Sequence, residues 1–287
     1  MFLPDWQPIM VDLPTEWEFA HLYFVHDLHY GSELFDERKW MRLKNRILSD
    51  KYGKVLFIGD LFENAIPGSK SDMFTQTANP AEQKEFVTQQ FVDLKGQTIV
   101  IVPGNHCSNR TTKAAGLYPL YDCALLAGMG EKYRNIIAFL NIGVGTSKKD
   151  KRKQVHYFGQ IQHKAKDCKN YGTSDFTDGV DFFAFGHDHN PKDTPRAKLV
   201  FDKQNNVIYK RNIENIDCGS GCVFGGYGAQ NACRPQSDKM YMLTLFGDEK
   251  QLETLIAFLG GAVNYSVLAC LGLKTKVVVS ERNSPGF

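Results

Sequence analysis

The chain has 287 residues, enough for one large domain or one domain with an appendage. Its 43% hydrophobic and 23% charged content is that of an ordinary globular protein and excludes a disordered or fibrous chain. The net charge of +2 neither demands a polyanionic partner nor excludes one, because a basic face can hide in a balanced total.

Met1 to Trp6 carry neither a basic segment nor an uninterrupted apolar one, so no secretory signal is expected. A strand-like run over 19–25 then leads directly into His26-Asp27-Leu28-His29. Residues 36–48 predict a helix, with Asp36 as N-cap and Trp40, Leu43, Ile47 and Leu48 on one face. A second strand over 55–58 leads into Gly59-Asp60, and a helix over 80–94 follows, with Asn79 as N-cap and Pro80 at its first position. A third strand, 98–102, leads into Pro103-Gly104-Asn105-His106, and 118–126 is helical. Runs over 136–144 and 155–161 read as a hairpin, the second of them ending at Gln162-His163. A strand over 182–185 ends at Gly186-His187-Asp188-His189, and further strands are expected at 199–201, 207–210 and 240–246.

Seven cysteines, an odd number without framework spacing, point to a reducing, cytoplasmic setting. Residues 255–273 carry no charge, but Gly260, Gly261, Asn264, Ser266 and Gly272 interrupt the run. A buried helix or strand pair is expected there, and no stable membrane insertion. Strand–helix alternation in the first half implies a parallel core, and the hairpins of the second half imply a second sheet facing it. The expected fold is α/β: a four-layer α-β-β-α sandwich of two facing mixed sheets flanked by helices. One domain spans 1–250, with 251–287 as an apolar appendage of it; no repeat or low-complexity linker divides the chain.

Ligands of open α/β sheets sit beyond the carboxyl ends of strands, where five of these strands carry a histidine, aspartate or asparagine. The run Asp27-x-His29, Gly59-Asp60, Gly104-Asn105-His106, a lone histidine and Gly186-His187-x-His189 resembles the calcineurin-like metallophosphoesterase superfamily. His26-Asp27-Leu28-His29-Tyr30-Gly31 looks most like its double-strand-break-repair exonuclease branch and related phage-type phosphoesterases. The resemblance covers roughly residues 20–245, and its motifs specify the superfamily but not a substrate.

The resemblance implies a hydrolase with two divalent metal ions. Asp60 would bridge them; Asp27, His29 and His189 would complete one site, and Asn105, His163 and His187 the other. Mixed nitrogen and oxygen donors suit Mn²⁺ first, then iron or Zn²⁺, better than Mg²⁺. A hydroxide shared by the metals would attack phosphorus in line, and His106 would protonate the leaving oxygen or bind the phosphate together with Asn105. Arg110 is a candidate phosphate clamp, with a surface salt bridge as the alternative. The expected substrate is a phosphodiester, with nucleic acid or a nucleotide in view. A phosphomonoesterase or protein phosphatase, and a catalytically silent scaffold on the same fold, are the competing functions.

Two positions depart from the family pattern: Cys107 stands where an acidic residue is usual, and Lys164 where glycine usually follows the lone histidine. His156, at the start of the strand that His163 ends, is the rival for its ligand role, although it and His21 read more simply as structural histidines. His26 is open between the two readings. Glu63 and Asn64 either support ligands or cap a turn. The run Lys148-Lys149-Asp150-Lys151-Arg152-Lys153 is a solvated turn or a nucleic-acid contact. Cys218, Cys222 and Cys233 match no standard zinc spacing and are expected to be free or buried thiols.

Overall fold

Strands β2 (Phe19–Val25), β3 (Gly53–Ile58) and β4 (Thr98–Val102) are apolar along nearly their whole length because both of their faces are covered. A computed structural model of the chain describes residues 5–69, 71–164, 177–225 and 239–258. In it β2, β3 and β4 run parallel, and β11 (Met240–Phe246) and β12 (Leu252–Phe258) extend the sheet antiparallel on the β2 side, in the order β12-β11-β2-β3-β4. The other sheet has the order β1 (Ile9–Asp12), β5 (Ile137–Val144), β6 (Val155–Gln162), β7 (Phe182–Phe185), β10 (Val207–Asp217) and β8 (Lys192–Asp193). There β9 (Arg196–Asp202) pairs with β10 off the main path.

The two sheets face each other through one apolar layer. Side chains alternate across a strand, so Leu22 and Phe24 point into this layer and Tyr23 and Val25 point out of it. Leu56 and Ile58 join the inner layer from β3, and Leu140, Ile142, Tyr157, Phe182 and Ile216 meet them from the opposite sheet. On the outer face of the five-stranded sheet, Tyr23, Val55, Phe57 and Ile101 are buried beneath helices.

Those helices are α1 (Glu37–Ser49), α2 (Pro80–Asp93) and α4 (Pro119–Leu126). The Asp36 side chain caps α1 by accepting from the Lys39 amide. Asn79 and Glu82 form a reciprocal capping box on α2, worth about 1 kcal/mol over an uncapped end. Trp40, Leu43 and Ile47 face the sheet as the helical period predicts, but Leu48 is exposed, being one position round from Ile47. The fold is thus the expected α/β arrangement of two mixed sheets with flanking helices.

Three edge strands, β1, β8 and β12, escape sequence reading. β1 is only four residues long and half exposed, β8 is only two, and β12 falls in the stretch expected as an appendage of the same domain; all three pair in register with a sheet. Of the uncharged stretch 255–273, residues 255–258 belong to β12 and the remainder lies outside the described residues. Among the described residues no helix is long and apolar enough to cross a membrane. The basic turn at 148–153 joins β5 to β6 at the opposite end of the sheet from His163. Asp248 pairs with Lys148 there, and Asp150 pairs with Arg152 and Lys153.

Candidate metal centre

Parallel packing of β2, β3 and β4 brings their carboxyl ends to one edge, and the ends of β6 and β7 meet them from the facing sheet. The loops leaving those ends are backbone-strained. Seven non-glycine residues among those described have a left-handed φ, and five are Asp27 (44°), His29 (50°), Asp60 (47°), His187 (76°) and His189 (53°). Each such residue costs of order 1–3 kcal/mol, and strain of this kind collects where a side chain must be aimed.

Glycines let the loops interlock. A Cβ on Gly104 would collide with the Asp60 carboxylate, and one on Gly186 would collide with that of Asp27. The glycine in front of Asn105-His106 and the one in front of His187 are therefore demanded by the close approach of neighbouring loops.

Asp27, His29 and His189 form one group. The Asp27 Oδ1 atom is 3.6 Å from His29 Nε2 and 3.2 Å from His189 Nε2, and these two nitrogens are 3.3 Å apart. Oδ1 is buried and has no hydrogen-bond partner, while Oδ2 accepts from the His187 amide at 2.9 Å and lies 3.0 Å from His26 Nδ1. An orphaned buried carboxylate oxygen facing two imidazole nitrogens is costly unless a cation lies among them. His29 Nδ1 donates to Glu63 Oε2 at 2.9 Å, which turns its Nε2 lone pair inward.

Asp60, His163 and His187 form a second group, with Asn105 beside it. His163 Nδ1 donates to the Ile58 carbonyl at 2.7 Å, leaving Nε2 at 3.0 Å from Asp60 Oδ2 and 3.2 Å from Asn105 Oδ1. Asp60 Oδ1 accepts from the His106 amide at 2.7 Å. His29, Asp60 and His106 form a third overlapping group, so Asp60 is shared between groups. Each of the three can hold a metal ion, and the donor set of imidazole nitrogens and carboxylate oxygens fits a transition-metal dication.

The electrostatics agree with a cation-shaped site. Burial alone would raise the Asp27 carboxyl, but the His163 and His189 imidazoles outweigh it and hold the group well below the usual carboxylate range. Burial likewise opposes ionisation of Asp60, and His163 again overcomes it. Burial should lower His163, yet Asp60 and Asp27 push its imidazole up to about 9.

This shift predicts a pH dependence. The folded, metal-free site binds the His163 proton more tightly than the unfolded chain, where the ordinary value is 6.5. The resulting stabilisation is complete below about pH 6.5 and disappears as pH rises through about 9. The chelated protein should therefore lose melting temperature across that window, and a divalent ion that took the proton's place would remove the decline. Thermal melts from pH 6 to 10 test this; a flat profile in chelator would refute it.

His106 and Arg110 lie beside these groups. His106 Nδ1 donates to the Glu63 carbonyl at 2.8 Å, and its Nε2 accepts from Arg110 Nη2 at 2.9 Å. Arg110 also donates to that carbonyl and to Ser71 Oγ, and only 16% of its side chain is exposed. It is an enclosed guanidinium and not a surface ion pair. His189, with 37% of its side chain exposed, is the open side of the Asp27 group.

The remaining candidates are placed as follows. His156 pairs with Asn141 at the start of β6, remote from His163. His21 is bound to Asp50, and His26 is buried behind Asp27. The Glu63 carboxylate serves His29, and the Asn64 amide donates to the His106 carbonyl, so both brace site residues. Cys107 is buried, and its Sγ accepts from the Leu61 amide, bracing the Asp60 loop. Cys218 and Cys222 are free thiols, and Cys233 lies outside the described residues.

Sequence reasoning missed the loop after β10. The Gly221 amide and Ser220 Oγ both donate to the Asp27 carbonyl, at 3.0 and 3.3 Å, and Lys39 Nζ in turn holds the Ser220 carbonyl at 2.6 Å. The Gly219-Ser220-Gly221 run was its only sequence signal.

No protein-family model matches the sequence, and no curated protein matches it. Among solved structures, the chain is similar to a metallophosphoesterase from Sphaerobacter thermophilus, at 13% identity and a TM-score of 0.37, over 88% of this chain and 95% of that one. It is also similar to Vps29 from Chaetomium thermophilum, at 9% identity and a TM-score of 0.37, over 83% of this chain and 96% of that one.

Proposed function

We propose that this protein is a metal-dependent phosphodiesterase. The observation that carries the reading is the meeting of Asp27, His29, Asp60, Asn105, His163, His187 and His189 at one sheet edge, five of them on left-handed backbone, with Asp27 Oδ1 buried without a hydrogen bond between two imidazoles. Asp27, His29 and His189 would hold one divalent ion and Asn105, His163 and His187 the other, with Asp60 shared between the two. Mn²⁺ is the preferred metal, ahead of iron or Zn²⁺, because the donors are mixed nitrogen and oxygen. Ions bound there would supply a nucleophile at neutral pH by lowering the pKa of water and would offset charge on the phosphoryl oxygens.

The chain's own residues do the rest. Glu63 and the Ile58 carbonyl fix the His29 and His163 rings, so their Nε2 atoms are aimed without further ordering. Arg110 rotates from His106 onto a substrate phosphate oxygen, freeing His106 Nε2 to take up a proton from solvent and pass it to the leaving oxygen. Asn105 and His106 orient the phosphate. The preference for diesters over monoesters rests on His29 and on the resemblance of the His26–Gly31 segment to the nuclease branch, and nucleic acid or a nucleotide is the favoured substrate class.

Purified protein, chelated and then supplied with Mn²⁺, should hydrolyse a chromogenic phosphodiester faster than the matching monoester. Single-stranded DNA and cyclic dinucleotides in the same panel separate nuclease from nucleotide hydrolase. Stoichiometric metal uptake with no hydrolysis of any of these substrates would overturn the enzyme reading in favour of a scaffold.

A further inference from the structure

Only residues 214–217 of β10 pair with β7. Its first seven residues, 207–213, run beyond the sheet and pair solely with β9, forming a two-stranded ribbon directed away from the edge that carries the metal centre. A ribbon of two strands is marginal in water by itself. This one also exposes apolar side chains: Leu199 is 79% exposed, Phe201 54% and Ile208 63%. Leu199 and Phe201 share one face of β9, and Ile208 sits directly across from Phe201 on β10. Among the described residues, no strand pairs with the other edge of β9.

We propose that β9 pairs antiparallel with β9 of a second copy of this chain, centred on Val200. This register is self-complementary, as a two-fold interface requires. Val200 meets its own mate, Leu199 lies opposite Phe201 of the partner copy and Phe201 opposite Leu199, and Lys198 lies opposite Asp202 in both directions. Shifting the register by two residues in either direction sets Lys198 opposite Val200 or Gln204 and breaks both matches.

A lysine on an edge strand ordinarily discourages pairing with an arbitrary strand, whereas here it meets a carboxylate supplied by its own sequence. One of its partners, Asp178, is 3.8 Å away and almost fully exposed, so exchanging that contact costs little. The product is a four-stranded sheet, β10-β9-β9-β10, in which Ile208 and Phe201 of one copy and Leu199 of the other form an apolar row, and the two-fold places two such rows side by side. The metal centre stays open at the far end of each subunit.

Sedimentation of the full chain over a range of concentrations should show a monomer–dimer equilibrium. Lys198→Asp, which sets like charges opposite each other twice, should weaken the dimer by about tenfold or more, and the swap Lys198→Asp with Asp202→Lys should restore it. Because Asp202 also caps its own turn, accepting from the Gln204 and Asn205 amides, Val200→Cys provides an independent arm. Under oxidation it should cross-link into dimers well above the wild-type background, and Arg196→Cys should not. A monomer at every concentration, a dimer indifferent to Lys198→Asp, or a ribbon that binds single-stranded DNA while the protein stays monomeric would each overturn the proposal.

Discussion

Asp60→Asn is expected to abolish phosphodiester hydrolysis and to empty at least one of the two metal positions. Asp60 is the one carboxylate that occurs in two of the three candidate metal groups, with Oδ2 at 3.0 Å from His163 Nε2 and Oδ1 fixed by the His106 amide. The substitution keeps the shape but replaces an anion with a neutral amide, so two like-charged ions would lose the charge that lets them sit close together. Losing several kcal/mol of charge stabilisation in the transition state corresponds to a fall in kcat/KM of at least roughly a thousand-fold. Metal analysis after desalting should show sub-stoichiometric content, while circular dichroism stays native because the carboxylate's surroundings are site loops and not core. Full metal content with near-normal turnover would remove Asp60 from the bridging role and with it the dinuclear reading.

His106→Ala should behave differently. Its turnover is expected to fall by roughly 10²–10⁴-fold, the usual contribution of a general acid, while metal content stays at the wild-type level. The reason lies in its contacts: Nδ1 is committed to the Glu63 carbonyl and Nε2 to Arg110, and Nε2 stands 4.0 Å from Asp60 Oδ2, farther than His163 Nε2 at 3.0 Å. The loss should also depend on the leaving group. A substrate releasing nitrophenolate, which needs little protonation, should be affected less than one releasing a sugar hydroxyl. Equal losses on both substrates, or a parallel loss of metal, would reassign His106 from proton donor to ligand, a role its membership of the group with His29 and Asp60 allows geometrically.

The contrast between these two residues shows where sequence reading is strong. Asp60 and His106 both follow an apolar strand and a glycine, and that local pattern was enough to mark them. It also marked Asp27, His29, Asn105, His163, His187 and His189, because an apolar run that ends in a polar residue is visible without knowing what the strand packs against. The sequence favoured His163 over His156, because His163 follows the exit of β6 and His156 lies at its entry, and the strand's whole length separates them.

Other features had no local signature. Nothing in Asn105-His106-Cys107-Ser108-Asn109 announces the π-turn that these residues form, which sets the Asn105 and His106 side chains against different neighbours. The left-handed φ at Asp27, His29, Asp60, His187 and His189 runs against the preference of every one of these residues when taken alone. Only the interlocking of loops from two sheets over-determines it. Cys107, read in the sequence as a missing acid, takes a backbone amide of the Asp60 loop, while Glu63 brings a carboxylate to His29 from a different loop.

What the chain determined by itself was therefore the inventory: the central strands, which polar residues end them, and that those residues suit divalent cations. Local periodicity and strand-end chemistry are short-range properties, and they are written in consecutive residues. The tertiary structure decided the pairing of that inventory: which nitrogen faces which oxygen, which ring is fixed by Glu63 or by the Ile58 carbonyl, and which end of β6 reaches the site. It also decided that the β9–β10 ribbon would stand clear of the sheet with its apolar side chains uncovered. These are relations between residues tens to hundreds of positions apart, fixed by burying the common apolar layer between two sheets, and that burial is a property of the folded whole.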